Sequence, residues 1–163
     1  MIFALTTFTW LHVGLSLIGI FAGFIVAFGL LAAKRLDGWT ALFLLATVLT
    51  TVTGFLFSFH GVTPAQRVGL VSLVALLIAI FARYGRKLVG AWRWIYVVTA
   101  MLALYLNVFV LIVQSFEKLP RKLPALNAFA PPQTQIPFLV AQVCAFVFLL
   151  VLTILAAKNF RPA

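Results

Sequence analysis

Apolar residues run along this chain in long unbroken stretches, without the two-residue alternation of half-buried strands or the single stripe of a soluble amphipathic helix. Five stretches carry no Asp, Glu, Lys or Arg: residues 2–33, 38–66, 68–82, 94–116 and 123–157. About 20 apolar residues suffice for a helix to cross the hydrocarbon of a bilayer. The pattern therefore predicts an all-α integral membrane bundle of five transmembrane helices in a single domain, 1–163. The spans are expected near 7–33, 39–60, 65–83, 92–115 and 137–157. The third has a short apolar centre between Arg67 and Arg83, whose long side chains would have to snorkel toward the interfaces. The first stretch has no basic start, is longer than a secretion signal and is followed by no small-residue cleavage site, so it reads as a retained span.

Three of the connections are short, which makes consecutive helices antiparallel neighbours. The exception is 117–137, with Pro120, Pro124, Pro131, Pro132 and Pro137 and the near-repeat Lys118-Leu119-Pro120, Lys122-Leu123-Pro124. Proline at that density argues against a continuous helix. The segment is expected to be an outer loop, resting on lipid headgroups or serving as a docking loop.

Composition narrows the chemistry. Of 163 residues, 65% are hydrophobic and 9% charged, against about a quarter charged in a soluble domain. A soluble globular chain and a disordered one are both excluded. The one cysteine, Cys144, allows no disulfide within the chain and no cysteine-based zinc site, and reads as core of the fifth span. Of the two acids, Asp37 falls in the first inner loop and Glu117 at the outer end of the fourth span. They offer no carboxylate pair for hydrolysis or a di-iron site, no triad with a histidine, and no buried carboxylate of the kind proton-coupled transporters use. A net charge of +10 on a soluble protein would suggest nucleic acid. Here the cations form short clusters between apolar runs, which fits attraction to anionic membrane lipids instead. Lys34, Arg35, Arg83, Arg86, Lys87, Arg93, Lys158 and Arg161 fall on one side of the predicted topology. Arg67, Lys118, Arg121 and Lys122 fall on the other. Eight against four places the N-terminus outside and the C-terminus in the cytoplasm. Trp10 then lies at the outer interface and Trp39, Trp92 and Trp94 at the inner one, as an aromatic belt requires.

Lipid supplies no hydrophobic drive between helices, so small and polar residues mark the packed faces. Each span carries such a stripe. On the first it is His12, Ser16, Gly19 and Gly23, the two glycines forming a GxxxG motif for helix packing. On the second it is Ala46, Thr50, Thr53, Phe57 and His60. On the third it is Gly69, Ser72, Ala75 and Ala79. On the fourth it is Tyr96, Ala100, Ala103, Asn107 and Gln114. On the fifth it is Gln142, Ala145, Thr153 and Ala156. At 1.5 Å rise per residue, His12, His60, Asn107, Gln114 and Gln142 all fall in the outer half of the membrane. A polar cavity opening outward is the natural expectation, lined by Ser16, Asn107, Gln114 and Gln142.

The stretches Lys34-Arg35-Leu36-Asp37-Gly38-Trp39-Thr40-Ala41-Leu42-Phe43, Gly90-Ala91-Trp92-Arg93-Trp94-Ile95-Tyr96 and Ala103-Leu104-Tyr105-Leu106-Asn107-Val108-Phe109 resemble small multi-span bacterial inner-membrane proteins that carry no assigned function. The resemblance implies a multi-pass protein of the bacterial inner membrane and transfers no active site or cofactor.

Three functions fit. The first is a non-catalytic accessory or interaction protein of the inner membrane, associating with a membrane protein partner or a second copy through the Gly19/Gly23 stripe. The second is a membrane redox protein holding haem b or a quinone at His12 and His60, since neutral imidazole ligates iron and hydrogen-bonds quinone oxygens. The third is a small-molecule or lipid carrier using the outward cavity.

Overall fold

Inside hydrocarbon a backbone has no water to bond, so each apolar run must satisfy its own N–H and C=O groups. The computed structural model, which describes residues 2–57, 64–122 and 136–161, meets that demand with helices: α1 (Ile2–Leu31), α2 (Asp37–Phe55), α3 (Pro64–Ile80), α4 (Trp92–Lys122) and α5 (Ile136–Asn159). A π-helical turn, Phe81–Gly85, continues α3. All five helices are long and apolar enough to cross a membrane.

The helix ends have local causes. Helix α1 stops where Ala33 turns left-handed (φ 54°). The N–H of Lys34 then reaches back to the Gly29 carbonyl at 2.8 Å, and that of Ala33 to Leu30 at 3.1 Å. This wide–narrow pair satisfies carbonyls that the helix end would leave open. Leu36 folds onto Gly29, where a Cβ would lie 2.6 Å from the Leu36 Cδ1. Asp37 then opens α2 with a carboxylate in its first turn, matching the positive end of the helix dipole. Pro64 opens α3, at the position where a missing N–H costs nothing.

Helix α4 is central and touches each of the other four. The closest pairings are α1 with α2 and α3 with α4, and α5 lies against α4 and α1. The packed faces are built from small residues. Ala22, Ala27, Ala79, Ala82, Ala103 and Ala156 are fully buried, while Phe21, Phe28, Leu45, Leu70, Leu77 and Phe146 point outward. This inverts the soluble pattern, because lipid is as apolar as leucine and close backbone approach is what holds the helices.

Gly23 shows how close that approach is. A Cβ there would stand 2.6 Å from Leu104 and 3.0 Å from Phe43, so α1 meets α4 and α2 at this residue. Gly19 similarly faces Thr47 and Asn107. Both glycines of the GxxxG stripe thus face α2 and α4 of the same chain.

Two boundaries also differ from expectation. Helix α2 ends at Phe55, with Leu56 and Phe57 turning back onto the carbonyls of Thr53 and Gly54. It does not extend to residue 60, and His60 lies outside the described residues. Helix α4 runs through Pro120 to Lys122, so residues 117–122 of the expected loop are helical. Only two helical residues follow Pro120, so the proline removes one hydrogen bond from a terminal turn. Residues 123–135 lie outside the described residues.

One end of the bundle is laced by polar contacts. The guanidinium of Arg83 donates to the Asp37 carboxylate, and Arg35 lies 3.7 Å from the same oxygen. Arg83 also stacks on the Tyr96 and Tyr84 rings, 5.3 and 5.8 Å from their centroids. Arg93 donates to the Phe160 carbonyl, and the Asn159 side-chain amide reaches the Leu31 carbonyl at 3.3 Å. These contacts tie the ends of all five helices together.

Candidate functional site

At the other end the helices part. A cavity of about 520 Å³ opens between α1, α2, α3 and α4. Small residues create the space. Gly54 on α2 and Gly69 on α3 both line it. A Cβ at either would meet only ordinary contacts, His12 at 3.5 Å and Phe55 at 3.6 Å. Val13, Phe55, Phe57, Val68, Val110 and Leu111 supply apolar wall.

The polar lining is sparse and ordered. His12 Nδ1 lies 2.8 Å from the Thr53 hydroxyl. That hydroxyl donates to the Leu49 carbonyl at 2.7 Å, so the histidine is the donor and its proton sits on Nδ1. Nε2 is then left with its lone pair. Phe57 meets the imidazole at 5.0 Å and 80°, and Phe8 backs Phe57 at 4.9 Å. One turn deeper on α1, the Ser16 hydroxyl donates to Asn107 Oδ1 at 2.9 Å. That bond orients the amide, whose Nδ2 is buried with no partner. Gln114, two turns toward the mouth on the same face of α4, has a buried Oε1 that is also unpartnered. Thr47 and Thr50 commit their hydroxyl hydrogens to the carbonyls of Phe43 and Ala46 at 2.7 and 2.8 Å. Gln66 bonds the Phe55 carbonyl at 3.4 Å and bridges α3 to the end of α2. Lys118 is exposed and completes the lining.

Of the residues predicted from sequence, His12, Ser16, Asn107 and Gln114 are brought together here. Gln142 is not: it lies on α5, buried against α4, where its Nε2 donates to the Phe109 carbonyl at 3.3 Å. The expectation that it lines the cavity is corrected, because α5 packs on the outer flank of α4 and α1 and adds no wall to this space. The pairing of His12 with His60 concerns a residue outside the described ones. Among the described residues no group of three or more His, Cys, Asp or Glu converges as a metal site. Sequence reasoning missed Gln66, Ser115 and Lys118. Their signal was position, since each faces the cavity from the terminal turns of α3 or α4.

No family model, curated protein or solved structure matches the chain.

Proposed function

We propose that this chain is a non-catalytic, multi-pass binding protein of the bacterial inner membrane, whose cavity holds a small amphipathic molecule with a hydrogen-bonding head. One observation carries the reading: a cavity between four helices is walled mostly by apolar surface and carries ordered polar side chains, Ser16 bonded to Asn107 and His12 bonded to Thr53. A cavity of about 520 Å³ falls in the range that small-molecule sites occupy, with mostly apolar walls and a few polar groups. The lining favours binding over catalysis, because the Ser16 hydroxyl is spent on Asn107.

The test is native mass spectrometry of the full chain released from lipid nanodiscs. A bound molecule is expected on the wild type. Gly69→Leu, which places a side chain in the cavity, is expected to remove it while helicity and monodispersity persist. An identical mass profile for both proteins, with no adduct on either, overturns the reading.

The orientation supported by the eight-to-four cation asymmetry puts the cavity at the outer leaflet and the laced end in the cytoplasm. In a Cys144→Ser background, a cysteine at Lys118 is expected to react with a membrane-impermeant maleimide on intact spheroplasts. One at Lys87 is expected to react only after permeabilisation. The reverse pattern inverts the topology.

His12 supports a second reading, in which its Nε2 lone pair ligates haem iron. A Soret band in protein purified after haem supplementation, lost in His12→Ala, is its expected signature. A spectrum without that band removes it.

A further inference from the structure

The open polar groups of the cavity are not spread evenly. Ser16, Thr47 and Thr50 spend their hydroxyl hydrogens on Asn107 Oδ1 and on the carbonyls of Phe43 and Ala46. Val13, Leu106, Val110 and Leu111 make the wall around them apolar. Toward the mouth the lining changes. Gln114 closes off its Oε1, but its Nε2 is neither bonded nor among the buried polar atoms. One turn further along α4, Lys118 is exposed and also lines the space. Helical side chains lean toward the N-terminus of their helix. Helix α4 begins with Trp92 at the laced end, so Lys118 leans back over the cavity. Its ammonium is near enough to act electrostatically on His12.

Charge decides what such a mouth accepts. Among the described residues of the lining, Lys118 is the only Lys or Arg, and none is Asp or Glu. Glu117, its neighbour in sequence, is turned about 100° around the helix and stands outside the lining. Arg67, exposed in the first turn of α3, adds positive charge at the same end. A cationic head would meet repulsion here, and a neutral head would leave the ammonium to water. An anionic head gains charge-assisted hydrogen bonds, roughly twice as strong as neutral ones. One lining cation matches a single negative charge, and the apolar wall below it matches a hydrocarbon chain.

Resting on the reading of the cavity as a ligand site, we infer that its occupant is a long-chain carboxylate, a fatty-acid anion held tail-down. The carboxylate accepts from the Lys118 ammonium and the Gln114 amide at the mouth, and the chain lies along Val13, Val110 and Leu111.

The inference is tested by photolabelling of the full chain in non-ionic micelles. The probe is hexadecanoate carrying a diazirine on its chain. The competitors are unlabelled hexadecanoate, its methyl ester, hexadecylamine and a phosphatidylglycerol. Label is expected on the peptides of α1, α3 and α4 that line the cavity. Hexadecanoate should displace it at about a tenth of the concentration that the ester needs, as hydrogen bonds to a charged group imply, and the amine should compete least. Lys118→Gln should erase that preference, Lys118→Arg should keep it, and Lys118→Glu should favour the amine. Lys87→Gln, the same loss of charge at the laced end, should change nothing. Lys118 and Lys87 are both exposed, so their substitution leaves the packed faces intact, and the comparison of acid with ester needs no variant. An ester that competes as well as the acid, an unchanged preference in Lys118→Glu, a phosphatidylglycerol that competes better than hexadecanoate, or a loss in Ser72→Ala as large as in Lys118→Gln overturns the inference. The cavity reading then still stands if Gly69→Leu blocks the label. Label that misses the lining peptides and is indifferent to Gly69→Leu overturns both.

Discussion

Gly23→Val is expected to loosen the whole bundle, costing about 3 kcal/mol, at the upper end of what overpacking costs in well-packed cores. The reason is geometric. The new Cβ would meet Leu104 at 2.6 Å and Phe43 at 3.0 Å, and both neighbours are themselves nearly fully buried. Neither has a free side to yield toward, and α4 cannot withdraw without losing its contacts with the other helices. Two sister substitutions calibrate the effect. Gly19→Ala meets Thr47 Oγ1 at 3.0 Å and should cost less, since one hydroxyl can shift. Gly14 has nothing within 4 Å of its Cβ position. Gly14→Ala should therefore be neutral or stabilising, by up to about 1 kcal/mol from helix propensity. Loss of helicity during sodium dodecyl sulfate titration of the micellar protein ranks the three. Equal midpoints for the variants at 14 and 23 would show that the close approach of α1 to α4 does not hold the fold.

The small-residue stripes were legible because lipid makes them so. Where apolar bulk earns nothing between helices, Ala22, Gly23, Ala79, Ala103 and Ala156 stand out as the positions where backbones can meet. The depth of Asn107, Gln114, His12 and Ser16 was legible for a similar reason, since helical rise converts residue number into height. What residue number cannot convert is the angle at which one helix presents itself to another. Gln142 has a polar side chain on a packed face, yet that face is turned to Phe109 on α4 and away from the cavity. The GxxxG motif likewise signals close packing without saying whose helix fills it. Here α2 and α4 of the same chain do. The end of α2 was misjudged because residues 56–60 are as apolar as those before them. Nothing in Leu56 or Phe57 announces a turn.

Arg83 was hidden by its company. In the sequence it reads as one of several cations near a span end, alongside Arg86 and Lys87. In the fold it is the one drawn inward, its side chain 2% exposed, while the partner Asp37 is 71% exposed. The π-helical turn containing it shifts the helix register locally at the point where the guanidinium reaches α2. The two ends of the bundle thus do different work. The laced end fixes the helices relative to one another, and at the opposite end a cavity opens between them.

Asp37→Asn is therefore expected to destabilise far more than an exposed acid normally would. It leaves the Arg83 guanidinium buried between Tyr84 and Tyr96 without its counter-charge. Breaking one side of a fully buried pair costs about 3–5 kcal/mol. Asp37 is itself open to water, which can partly take its place, so about 2 kcal/mol is the expected loss. Arg83→Met should cost less than Asp37→Asn, because methionine fills the same slot without a charge to desolvate. The double variant should then recover most of what the single Asp37 change lost. Added salt should alter these differences little, because the cation is shielded from mobile ions by the helices around it. The same detergent titration, run as a double-mutant cycle on the four proteins, reads the coupling directly. Additive losses would mean that Asp37 and Arg83 act independently and that the lacing of this end rests on Arg93 and the Phe160 carbonyl instead.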